Sequence, residues 1–531
     1  MKKFKFNVVF GALILLVSLL TGCGSDEKGK GETKEEETSV SNLKIDRSTS
    51  MIIRATSDAR VVHPLYANDR LSLTLVNNIF SPLARRSATT INEYVLAKSI
   101  EVSKDLLTYT LHLKKDLKWH DGKALTAEDI IFTCKTISDP NQGSHLVDMF
   151  KMPNGSSIDI KKVDDYTVTF KLPSPQVDFI ASIADMRPFP KHIYDGVENI
   201  QQSEVVQTPI GSGPYKFSKL KPEEYWILSK FDDYCLGVPS IENIVYRIIP
   251  DDTTAQFAFE NGELDSMYIS PEFVDQFNNK GKILAFDEDR VGYIILNQNN
   301  KALKDKKIRQ AICYAIDRNQ VLLAKYLSEE FAKPAKTFLS EQSMSVNKDV
   351  EAYDYNPEKA KELIKESGDE NIKLTLAYVG KDDTRELLVQ QYLENVGIQV
   401  ELKAMDLGAF YDALFDPKNN NSYDLAFDGY IFGKLPSSYE NILKTGSAEN
   451  FNNYSNKKVD ELFKTAALEF NSEKRDNIYK EVQKIVMDDA PMYPISYGYA
   501  IVAVNPRIKG LDKVKTASIY MFEDLSKAYI K

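Results

Sequence analysis

Residues 373–402 limit the fold more than any other part of this sequence. KLTLAYV (373–379) has the apolar, β-branched and aromatic make-up of a strand, and TRELLVQQYLENV (384–396) reads as a helix. After Gly397, IQVEL alternates, with Ile398, Val400 and Leu402 on one face. A strand, a helix and a strand with short joints imply a parallel pair closed by a right-handed crossover. Part of the chain is therefore α/β. Alternation marks other strands. Leu107, Tyr109, Leu111 and Leu113 share a face, as do Tyr166, Val168, Phe170 and Leu172. A helical segment divides these two strands, which points to a smaller, antiparallel-rich domain.

Helices are marked by their ends. Thr126 is an N-cap for AEDIIFTCKTI, with Asp129 placed for a capping box. Asn356, Pro357 and Gly368 suit the cap, first turn and end of PEKAKELIKES. Ile308, Ala311, Ile312 and Ala315 recur at helical spacing, and Asp317 caps a following helix through Leu327. Ile478, Val482, Ile485 and Val486 mark another, stopped before Pro491.

The first 44 residues have a different character. Lys2, Lys3 and Lys5 precede an apolar run, Val8 to Leu20. That run is shorter than the roughly 20 residues a membrane span needs, and it fits a secretory leader. Leu20-Thr21-Gly22-Cys23 resembles a bacterial lipobox, in which the cysteine is acylated and becomes the mature N-terminus. Two acyl chains anchor a protein stably where one does not. Residues 24–44 then read as a disordered tether. The expected location is the extracellular face of a Gram-positive cell membrane, held through Cys23. Loss of residues 1–22 removes three lysines and no acid, so the formal charge of −10 becomes −13. So acidic a chain is unsuited to phosphate-backbone binding, and no nucleic-acid partner is expected.

About 490 residues remain, too many for one core. Of the four cysteines, Cys134, Cys235 and Cys313 are left after the anchor. An odd number cannot all pair within one chain. With no CxxC and only scattered histidines, no metal site is expected.

Seven segments, in order, resemble the extracellular solute-binding proteins of family 5. They are HPLYANDRLSLTLVNNIFSPLAR (63–85), YTLHLKKDLKWHDGKALTAEDIIFT (109–133), PIGSGPYKF (209–217), FDDYCLGVPSIENIVYRIIPDDTTAQFAFENGELD (231–265), KKIRQAICYAIDR (306–318), YDYNPEKAKELIKESG (353–368) and DDAPMYPI (488–495). That family contains the oligopeptide-, dipeptide- and nickel-binding components of ABC importers. The resemblance runs from about residue 50 to the C-terminus. It implies a mixed α/β fold, a two-lobed, periplasmic-binding-protein-like (type II) clamp with an additional third domain. Domain I would combine 45–83, 208–298 and 507–531, domain II would be 84–207, and domain III would be 299–506. Hinge positions would include Gly211, Gly213, Asn297 and Asn299. GSGPYKF reads equally as a crossover near the cleft or as a turn before a strand.

By the same resemblance the function would be capture without reaction. A monomer with no cofactor would bind a peptide in the interlobe cleft, oligopeptides first, and deliver it to an ABC permease. Ligand contacts would come from Asn78, Ile79, Phe80 and Ser81, and from Asp428, Gly429, Tyr430, Ile431 and Phe432 on a strand that holds the peptide main chain. Many oligopeptide-binding relatives carry an aspartate shortly after a Gly-Trp pair, where it meets the ligand's ammonium. Here the pair is Gly429-Tyr430, Gly433 occupies the aspartate's place, and Asp428 is the candidate substitute. A nickel chelate or an oligosaccharide are the alternative ligands. A secreted hydrolase is the alternative class, although G-x-S-x-G, H-E-x-x-H, P-loop and Rossmann signatures are all missing from the sequence.

Overall fold

The computed structural model describes residues 45–531, apart from 88–89, 148, 153–154, 370, 381–383, 416–421, 432, 512–513, 515 and 518–519. Cys23, the leader, the tether and Phe432 therefore lie outside the described residues. Among those described, no helix is long and apolar enough to cross a membrane.

One eleven-stranded sheet runs through the molecule. Its strands in chain order are β1 (Ser50–Ala55), β2 (Tyr215–Lys221), β3 (Tyr225–Lys230), β4 (Asn243–Ile248), β5 (Ser266–Tyr268), β6 (Lys282–Leu296), β7 (Ala332–Pro334), β8 (Lys373–Val379), β9 (Gln399–Met405), β10 (Leu425–Ile431) and β11 (Met492–Val504). The spatial order is β9-β8-β10-β6-β11-β5-β1-β4-β3-β2, with β7 added against β11. The pair β8 and β9 is parallel, with Lys373 opposite Gln399, and the helix Thr384–Glu394 joins them. This is the crossover unit that the 373–402 pattern requires. A separate antiparallel sheet is built from Ala97–Val102, Thr108–Leu113, Thr167–Lys171 and Asp159–Asp164, in that order. Tyr109, Leu111, Leu113, Val168 and Phe170 face its core.

The caps form as their chemistry dictates. Thr126 and Asp129 make a reciprocal capping box. Asn356 caps Pro357–Ser367, and Gly368 ends that helix in the left-handed region at φ 75°. Asp265 in FENGELD is structural. It is fully buried, accepts from the Ile52 N–H at 2.8 Å, and is gripped by Arg507 at 2.6 Å and Arg47 at 2.7 Å. This ties the C-terminal segment to β1.

Among the described residues, most of the buried apolar side chains gather in two cores. The first takes Met51 to Phe286 and returns at Ala500 to Ala528. The second takes Val291 to Tyr497. Residues 97–171 share the first core with β1 and β4 rather than forming a third. Among the described residues, only the long strands β6 and β11 belong to both. They change core where their ladder slips, since Asp287 faces Tyr499 but Arg290 faces Gly498. Glu288 and Asp289 are the extra residues, and Asp289 has φ 57°. The two cores thus meet at 287–290 and 498–499. A second slip follows between Gly292, opposite Ser496, and Tyr293, opposite Pro494; bulges interrupt the ladder and bend the strand, and the first of them coincides with the change of core.

Candidate functional site

A cavity of about 430 Å³ opens where β6, β10 and β11 leave the bulge. The helix Leu407–Phe415 lends it Leu407, Phe410 and Tyr411, and the helix Arg318–Tyr326 lends it Lys325 and Tyr326. β10 forms one wall. Only Leu425 and Ala426 of this strand pair with β8, opposite Leu376 and Ala377. From Phe427 to Ile431 it pairs with β6 alone, so the edge away from β6 has no partner strand among the described residues. Unpaired strand edges are templates for a further extended chain.

Asp428 is half-buried in this wall. Its Oδ1 accepts the Gly429 N–H at 2.8 Å, and the Tyr293 hydroxyl stands 3.5 Å from its Oδ2. Burial pushes its carboxyl up to about 6, against the opposing pull of that N–H and of the Arg290 charge. A side chain at Gly429 would be crowded. A Cβ there would stand 3.1 Å from Arg290 Nε and 3.2 Å from the Val291 carbonyl. Tyr430 shares a strand face with Asp428 but is itself stacked between Tyr293 at 5.6 Å and Phe451 at 6.2 Å. Ile431 is half-buried opposite Arg290. The remaining charges of the wall are engaged. Glu288 pairs with Arg70 at 3.2 Å, while Arg385 bonds Glu386 and lies 3.8 Å over the Phe427 ring.

The bulge is held from both sides. Glu288 reaches Arg70 on the helix Arg70–Ile79 of the first core. Asp287 accepts from Gln342 at 3.0 Å and Asp289 from Ser340 at 3.4 Å, both of the second-core region. Ser437 also donates to Asp178 at 2.9 Å across the two cores.

Asn78, Ile79, Phe80 and Ser81 are not cavity surface. All four are buried at the end of the helix Arg70–Ile79. Asn78 donates to Thr74 O and to the Tyr246 hydroxyl, and Ser81 donates to Ser212 O. The Ile79 and Phe80 carbonyls take the Gly213 N–H and Arg187. Gly211 and Gly213 are packed against this turn, with Cβ positions 2.0 Å from Ile79 O and 2.2 Å from Asn78 O. They answer to close approach of two backbones. Asn297 lies past the end of β6, deep in the second core region, with Nδ2 on Tyr423 O. Asn299 follows it, its N–H on Asn297 Oδ1. The bulge lies about nine residues earlier in the chain. Sequence reasoning missed Arg290 and the bulge, for which the acidic run Asp287-Glu288-Asp289 inside a strand was the available signal.

Two cores joined by continuous strands, with a cavity and an open edge at the joint, define a two-lobed binding clamp. The chain belongs to the bacterial extracellular solute-binding proteins of family 5, whose middle region matches residues 93–452. It is thus a binding protein of the ABC-transporter class and not an enzyme. The ABC transporter substrate binding protein CtaP from Listeria monocytogenes is 39% identical over 91% of this chain and 99% of its own, with a TM-score of 0.86. A putative peptide binding protein AppA from Clostridium difficile is 32% identical, over 91% and 100%, at 0.84. The oligopeptide-binding protein AppA from Bacillus subtilis, solved in complex with a nonapeptide, is 25% identical over 91% and 99%, at 0.77.

Proposed function

We propose that this protein captures peptides, oligopeptides first, between its two cores and hands them to an ABC permease. The observation that carries this reading is the unpaired edge of β10 beside the cavity. An extended peptide would add to that edge through its main chain, which makes binding tolerant of sequence. Its ammonium would meet Asp428, the carboxylate already in the wall. Burying an ammonium without a counter-charge is costly, so this pairing fixes the direction of the peptide. Two relatives named for peptide binding support the reading.

Release requires that closure cost little, and the bulge at Glu288–Asp289 is the proposed flexing point, in place of Asn297 and Asn299. The proposed division is into domain I (45–83, 208–298 and 507–531), domain II (84–207) and domain III (299–506). Acylated Cys23 would hold the protein, as a monomer, beside the permease and raise its effective concentration there. Native mass spectrometry of the purified protein tests the reading. A ladder of mixed peptide masses is expected, and one discrete non-peptide mass would overturn it.

A further inference from the structure

Two charges face the cavity without a bond between them. Asp428 is one. The other is Arg290, the first residue of β6 beyond the bulge, which is exposed and lies opposite Ile431. Among the described residues Arg290 makes no hydrogen bond or ion pair. Its guanidinium lies over Gly429, with Nε 3.1 Å and Nη2 3.5 Å from where a Cβ would stand. Its charge is felt by Asp428 and by Tyr411 on the facing helix. Lys325 adds a further cation to the same cavity. The chain as a whole carries a formal charge of −10, so this wall runs against the overall sign. A planar, open guanidinium in a confined cavity is a receptor for carboxylate, which it can bind through two parallel hydrogen bonds.

We propose that Arg290 is a specificity-determining residue: it receives a carboxylate borne on the same ligand residue whose ammonium faces Asp428. This rests on the reading of the site given above. The carboxylate has two possible sources, the acidic side chain of a peptide's first residue or the α-carboxylate of a free amino acid. In both, the two charges belong to one residue, and an uncharged residue of the same shape leaves the guanidinium unmatched.

Isothermal titration of the full chain separates these. Glu-Ala-Ala is compared with Gln-Ala-Ala, and alanine with alaninamide, for the wild type, R290Q and R290K. In at least one pair the wild type binds the carboxylate-bearing member roughly tenfold more tightly, the scale of one charge-assisted bidentate contact. In R290Q that gap, read as the ratio within a pair so that any common change cancels, shrinks to about twofold or less, and R290K restores part of it. The pair that shows the gap names the source. An unchanged melting temperature confirms that the variants fold, as an exposed and unbonded side chain leads one to expect. Equal binding within both pairs by the wild type overturns the proposal and leaves peptide capture standing, as does a gap that survives in R290Q. If neither tripeptide binds, peptide capture falls, and the alanine pair alone decides for or against Arg290.

Discussion

Asp428 gives the site a pH dependence whose sign can be worked out. In the ligand-free protein burial holds its carboxyl at about 6, against an ordinary value of 3.8. An ammonium is attracted only to the ionised form. At pH 5 roughly one-tenth of the molecules carry that form, and at pH 7 about nine-tenths. Trialanine, whose amine stays largely protonated over this range, should therefore bind roughly tenfold more weakly at pH 5 than at pH 7. D428N should weaken binding at pH 7 by about 1.5–3 kcal/mol, the worth of a hydrogen bond to a charged group, and should bind with no slope across the range. Stability moves the other way. A carboxyl raised in the fold is penalised as the anion, so the penalty is in force above pH 6 and is relieved as the pH falls towards 4. The whole shift corresponds to about 3 kcal/mol, and contact with cavity water reduces this to about 1–2 kcal/mol. Ligand-free D428N should thus be more stable than the wild type at pH 7 by that amount, and the advantage should vanish near pH 4. Titration calorimetry and urea unfolding at pH 4, 5, 6 and 7 read both effects. A wild-type affinity that is flat from pH 5 to 7, or a D428N profile that retains the slope, would refute the role given to Asp428.

Other consequences follow from packing and covalent chemistry. G213A forces a methyl group to within 2.2 Å of the Asn78 carbonyl, a backbone atom that cannot swing aside. It should cost about 3 kcal/mol or more in urea unfolding. R507A leaves the buried Asp265 with only Arg47 and the Ile52 N–H, and should cost about 3–5 kcal/mol by the same assay. C23A should shift the protein from the membrane fraction to the medium without changing the peptide affinity of the purified chain, as fractionation and calorimetry would show.

Local chemistry made much of the fold legible. The pattern from Lys373 to Leu402 and the caps at Thr126, Asn356 and Asp317 all appear as the residues dictate, Asp317 accepting from Asn319 and Gln320. These features depend on neighbours within a few residues. The bulge does not. It is a slip between β6 and β11, strands joined by some two hundred residues of chain, and nothing local distinguishes Asn297 from Glu288 as the bending point. Asn78 to Ser81 misled for a related reason. A run of polar and apolar residues at a helix end serves equally as cleft surface or as frame, and only the approach of Gly211 and Gly213 decides for the frame. In β10 the strand was readable, yet the stacking of Tyr430 was not, because Tyr293 and Phe451 come from distant segments.

In the proposed capture cycle the two cores close about the Glu288–Asp289 bulge when a peptide occupies the cavity. Small-angle scattering of the mature chain, stripped of ligand and then saturated with a peptide mixture eluted from the native protein, tests it directly. The loaded sample should show a smaller radius of gyration and a shorter maximum dimension. Identical curves, with binding verified by calorimetry in the same sample, would contradict it.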